Sequence, residues 1–146
     1  MVFELLTAEY LFDPQGQGEL FSKDDDHMAQ IMELLGDFDL EVKLGGRFSR
    51  ELFDHNGELS YPIYSLFPNC SQRPTGSLRY IRNLKFWPLK RVMMEKYLYS
   101  EEEAQSLCSF LDPMLACDFK KRANARDLVN HEWLNVVEGD EVSGSW

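Results

Sequence analysis

Positive charge is scarce in this sequence. Its 146 residues hold 15 lysines and arginines against 25 aspartates and glutamates, for a formal net charge of −10 and a pI near 4.7. Binding to nucleic-acid phosphates needs a basic surface, so this balance argues against direct contact with DNA or RNA and favours a cationic peptide. Cysteine is also sparse. Cys70, Cys108 and Cys117 form an odd set with no CxxC pair and no histidine at ligand spacing, which predicts reduced, structural thiols. Long apolar runs are absent: nothing approaches the roughly 18 residues of a membrane span. Met1 to Leu6 has neither a basic leader nor a cleavage site. The expectation is a soluble, intracellular protein of the cytoplasm or nucleus, with no membrane partner.

Catalytic signatures are missing too. His27, His55 and His131 show no HExxH or other ligand spacing and read as cap or core residues. There is no GxSxG nucleophile elbow. Gly16 and Gly18 alone do not make a phosphate-cradling loop. No metal site and no complete active site is expected.

What is present is helical order. In "SKDDDHMAQIMELLG", Ser22 stands three residues before Asp25, the spacing of a capping box, and acids in the first turn suit the helix dipole. Met28, Ile31, Met32 and Leu35 follow the i, i+3, i+4, i+7 rhythm of a buried stripe, and Gly36 supplies a stop. At about 100° per residue, Asp26 and Glu33 differ by about 20° in azimuth, so both project from the outer face. A solvated acidic face needs no function; a site for cationic ligands is the alternative.

Elsewhere, "MVFELLTAEYLF" reads as the back half of a buried helix without an N-cap, and residues 37–59 as short turns with one helical turn. Pro88 begins a helix carrying Leu89, Val92, Met93 and Tyr97. Ser100 with Glu103 predicts a second capping box, leading to Ala104, Leu107, Cys108 and Leu111 until Pro113 interrupts; Glu101 and Glu102 are assigned to capping and a solvated face. Asn124 with Asp127 predicts a third start, leading to Leu128, Val129 and Trp133. Residues 60–77 contain three prolines and one charge, with no periodicity. They read as an irregular insertion, either a surface loop or a retained intron read through in translation. Residues 136–146 form a polar tail. The fold class is mainly α with long loops, and no strand is expected.

Two stretches carry a resemblance. "FLDPMLACDFKKRANARDLVNHEWLN", residues 110–135, resembles the closing segment of eukaryotic protein kinase domains, with Glu132 where proline is usual. The opening "MVFELLTAEYLFDPQ…DDDHMAQIMELLG", with "RFSRELFDHNGEL" and "LRYIRNLKFWPLKRVMMEKY", resembles the SR-protein kinases, which phosphorylate serines in Arg-Ser repeats of splicing factors. The resemblance implies the C-terminal helical part of the large kinase lobe over residues 1–135. It also implies an acidic groove that docks Arg-rich segments, with its carboxylates at Glu9, Asp26 and Glu33 and a lysine at Lys96. Glu9 stands for an aspartate, one methylene longer. Arg122 matches a structural arginine of the lobe, whose usual glutamate partner is not in this sequence.

The family uses ATP and magnesium, but its glycine loop, strand lysine, catalytic aspartate and metal-binding aspartate have no counterpart in these 146 residues. The expectation is therefore a kinase fragment that holds no cofactor and is inactive alone, with an Arg/Ser-rich peptide or splicing factor as partner. A non-catalytic helical module for Arg-rich peptides is the rival reading, and a fragment without a stable fold is a third.

Overall fold

A computed structural model describes residues 1–37, 39–54 and 76–135. Seven α-helices and one 3₁₀ turn make up the regular structure of these residues: α1 (Val2–Thr7), α2 (Lys23–Leu35), α3 (Leu40–Gly45), α4 (Ser49–Leu52), α5 (Leu89–Glu95), α6 (Glu101–Leu115), α7 (Ala125–Leu128) and η1 (Glu132–Leu134). Among the described residues the expected absence of strands holds, with one isolated antiparallel bridge between Phe53 and Leu78. The chain divides into two compact units, Met1–Leu89 and Lys90–Trp146. His55, Cys70, most of the 60–77 insertion and the tail at 136–146 lie outside the described residues.

In the first unit, α2 starts as its sequence demands. The Asp25 carboxylate accepts from Ser22 N and Ser22 Oγ at 2.8 and 2.7 Å, and Asp25 N donates back to Ser22 Oγ at 3.2 Å. Asp25 is 5% exposed, so this middle acid of the triplet is a cap and nothing else. The buried stripe is rotated from the expected one. Ala29, Met32 and Leu34 are buried, while Met28, Ile31 and Leu35 are only half-buried. Ala29 and Met32 form the core cluster with Phe53 and Leu78, so the bridge after α4 draws the inward side of α2 toward Ala29.

The same bridge closes the described ends of the insertion. Asp54 N donates to Ser77 O at 2.7 Å and Arg79 N to Leu52 O at 3.0 Å. Gly76 has φ +60°, and a Cβ there would stand 2.6 Å from Leu40 Cδ1 and 3.1 Å from Lys43 Cδ. Gly76 and Ser77 thus belong to the stem. Removing residues 60–75 while keeping them is expected to leave the melting temperature unchanged or raise it. Closure entropy grows slowly with loop length, and the shorter loop recovers about 1 kcal/mol. A thermal melt of the deleted chain checks this, and a fall of several degrees would show that the segment packs.

α1 differs from the buried helix expected. Phe3 is buried, but Leu5 is 79% exposed. A helix of six residues has fewer than two turns, so it turns few side chains to one side.

In the second unit, α6 buries Ala104, Leu107, Cys108, Phe110 and Leu111 behind the Ser100–Glu103 capping box. Ser100 holds the Glu103 carboxyl below its usual range through side-chain and backbone hydrogen bonds. Glu101 instead pairs with Lys90 at 3.0 Å. The helix does not stop at Pro113, as its sequence suggests, but runs to Leu115. Proline there removes one donor, and its own carbonyl is satisfied by Ala123 N at 2.9 Å. α7 is shorter than expected and leaves Val129 exposed. The chain restarts at η1, where His131 Nδ1 accepts from Trp133 N at 3.2 Å. Trp133 then stacks on Phe110 with centroids 4.9 Å apart. Both described cysteines are free thiols. Desolvation, with Asp112 adding to it, pushes Cys108 up to about 11, which keeps it protonated and unreactive at neutral pH.

Candidate functional site: the gripping face of α2

Three acids open α2, and they do different things. Asp24 is exposed, Asp25 is the cap, and Asp26 reaches sideways. Asp26 Oδ2 accepts from Gln15 N at 2.8 Å and from Gln30 Nε2 at 2.9 Å. Gln30 in turn accepts from Asp13 N at 3.0 Å and donates to Asp13 O at 3.2 Å. One turn further on, Glu33 Oε1 accepts from Lys85 N at 2.8 Å, and the backbone carbonyl of Glu33 takes Trp87 N at 2.8 Å.

Asp26, Gln30 and Glu33 thus follow i, i+4, i+7 along one face, and that face fastens two irregular segments, residues 13–15 and 85–87. Asp26 and Glu33, two of the three carboxylates expected at one groove, share this face of α2. Each commits one oxygen to a backbone N–H; among the described residues, Asp26 Oδ1 and Glu33 Oε2 accept no hydrogen bond. Both residues are half-buried, and the hydrogen bonds they make to Gln15 N and Lys85 N lie at the exposed surface.

Glu9 is exposed just after α1, where its N and O meet Thr7 Oγ1 at 3.3 Å. It leads into the segment that Asp26 and Gln30 hold. Lys96 and Arg122 belong to the second unit. Lys96 Nζ lies 5.0 Å from the Tyr97 ring centroid, and Arg122 Nε donates to Ala116 O at 2.8 Å. Sequence reasoning missed Gln30, because an amide carries no charge to notice; its spacing of four from Asp26 and three from Glu33 was the available signal.

The sequence of this chain aligns at 44% identity over 137 residues with the protein kinase dsk1 of Schizosaccharomyces pombe, covering 94% of the chain. It is 41% identical over 141 residues to the serine/threonine-protein kinase SKY1 of Saccharomyces cerevisiae, and 44% identical over 135 residues to human SRSF protein kinase 3. These alignments cover 97% and 92% of the chain. The chain is homologous to the SR-protein kinases. It spans only 22%, 16% and 20% of the length of these three relatives, so the match is to a part of such a kinase. No protein-family model matches the chain. The α2 face therefore lies within the stretch that aligns with these kinases. Among its described residues no three His, Cys, Asp or Glu side chains gather as a metal site, and no helix is long and apolar enough to cross a membrane.

Proposed function

We propose that this chain is the C-terminal part of the large lobe of an SR-protein-kinase-like serine/threonine kinase, and that its own contribution is to dock arginine-rich substrate segments on the acidic face of α2. One observation carries the reading. Asp26 and Glu33 are held on one face by backbone N–H groups, each with a second oxygen left for an incoming donor. A guanidinium presents planar paired donors and keeps its charge at any physiological pH, so consecutive arginines suit carboxylates spaced along a helix. Glu9 is assigned to the same groove. Lys96, in the second unit, is proposed as the position that matches the family's lysine, and Arg122 as a structural residue of the lobe. The substrate class is an Arg/Ser-rich segment of a splicing factor, and ATP and magnesium belong to the intact kinase.

Binding of a fluorescent Arg-Ser repeat peptide should weaken steadily as salt rises, because screening acts over about 8 Å at physiological ionic strength and the face is open to solvent. Affinity independent of salt would remove the electrostatic docking reading. The 146 residues by themselves are expected neither to bind ATP nor to transfer phosphate, since the family's glycine loop, strand lysine, catalytic aspartate and metal-binding aspartate have no counterpart in them. Calorimetry with ATP and magnesium checks this; a measurable heat of binding at one site would overturn it.

A further inference from the structure

The opposite face of α2 opens on a cleft of about 710 Å³ within the first unit. Asp24, Met28 and Ile31, again at i, i+4, i+7, form one wall. Asp24 stands about 200° around the helix from Asp26, so this is a different surface from the gripping face. Phe48, Glu51 and Leu52, at and around α4, and Arg79 with Tyr80 line the rest. The volume falls within the roughly 300–1,000 Å³ that ligand pockets commonly enclose.

The lining is of two kinds. Met28, Ile31 and Leu52 are half-buried apolar side chains, and Phe48 and Tyr80 are aromatic rings exposed at 57% and 55%. Against these stand the carboxylates of Asp24 and Glu51, both exposed and neither with a side-chain hydrogen bond or ion pair among the described residues. The other charged groups of the cleft are occupied. Asp25 is the helix cap, and Arg79 Nη1 donates to Arg50 O at 2.8 Å with its guanidinium 5.7 Å from the Tyr80 centroid.

We propose that this cleft binds a peptide segment in which an arginine or lysine adjoins a large apolar residue. The cation sits between Asp24 and Glu51, and the apolar side chain packs on Met28, Ile31 and Leu52. A phosphate-bearing ligand would meet three carboxylates, Asp24, Asp25 and Glu51, against the single guanidinium of Arg79, in a chain of net charge −10. A purely apolar ligand would desolvate those carboxylates without pairing them. A plain Arg-Ser repeat has the cation but nothing for the apolar wall, so it is a poor ligand here.

The test is an NMR titration of the ¹⁵N-labelled full chain with a hexapeptide holding one arginine followed by one leucine in a glycine–serine background. Amide shifts are expected at Phe48, Glu51, Arg79 and Tyr80. Asp24→Asn with Glu51→Gln should weaken binding about fivefold, as loss of two exposed ion pairs implies. Replacing the peptide leucine by serine should weaken it by about tenfold or more, from the buried apolar area lost. Glu101→Gln with Glu102→Gln, which removes two charges from exposed positions of the second unit, should leave it unchanged. Asp24 and Glu51 have no side-chain partner among the described residues, so their amide variants are expected to keep the fold, which the unshifted remainder of the spectrum verifies. Absence of shifts in the cleft, equal affinity in the D24N/E51Q chain, or equal affinity of spermidine or the serine peptide would each overturn the proposal.

Discussion

A Met93→Ala chain is expected to lose about 2–5 kcal/mol of stability, the range for truncating a large core side chain. Met93 is 0% exposed and Leu107 1% exposed, the two largest fully buried side chains of the described residues, and both belong to the second unit. The cost has two parts: the transfer free energy of the deleted atoms, and the cavity that surrounding groups fill only partly. Leu107→Ala should fall in the same range. Leu98 has the same residue volume class but is 84% exposed, so Leu98→Ala should change stability by less than about 0.5 kcal/mol. Denaturant titrations check the set. A small loss from Met93→Ala together with an unchanged denaturant slope would mean that the site is not a packed core.

Asp26→Ala and Glu33→Ala should each release the segment that the carboxylate holds, and the amide variants should not. Asparagine and glutamine keep an oxygen that can accept from Gln15 N and Lys85 N, the bonds now made at 2.8 Å. Alanine leaves both N–H groups without that partner. A net hydrogen bond of about 1 kcal/mol implies roughly fivefold faster amide exchange at Gln15 in Asp26→Ala and at Lys85 in Glu33→Ala. Exchange rates unchanged in the alanine variants would show that the clasp does not order these segments. The pair of substitutions also separates two roles in one residue, because the amide keeps the clasp and removes the charge.

Much of this architecture is legible in the sequence because helix starts are local chemistry. Ser22 with Asp25 and Ser100 with Glu103 predict capping boxes, and both boxes form. The apolar rhythm of α6 is likewise read correctly from Ala104 to Leu111, where burial follows a single face. Legibility ends where partners are distant in sequence. The stripe of α2 is rotated because Phe53 and Leu78 pack against Ala29 and Met32, and nothing within α2 announces that.

Lys43 is the clearest case of such a miss. Its side chain is 4% exposed, and its ammonium pairs with the Asp37 carboxylate and lies 5.9 Å from the Phe53 ring centroid. From sequence it is one more surface lysine. At the candidate site, helical periodicity alone put Asp26 and Glu33 on one face, but not the segments they hold, since those contacts span 11 and 52 residues.

The docking assignment is tested most directly by the affinity of an Arg-Ser repeat peptide for two charge-matched variants of the full chain. One is Asp26→Asn with Glu33→Gln; the other is Glu101→Gln with Glu102→Gln, which removes the same two charges from exposed positions at the start of α6. The α2 variant should bind about tenfold more weakly than the parent chain, as loss of two charge-assisted contacts implies, and the α6 variant within about twofold of it. Equal losses from the two variants would contradict the assignment, because the peptide would then be reading net charge and not the face built by Asp26 and Glu33.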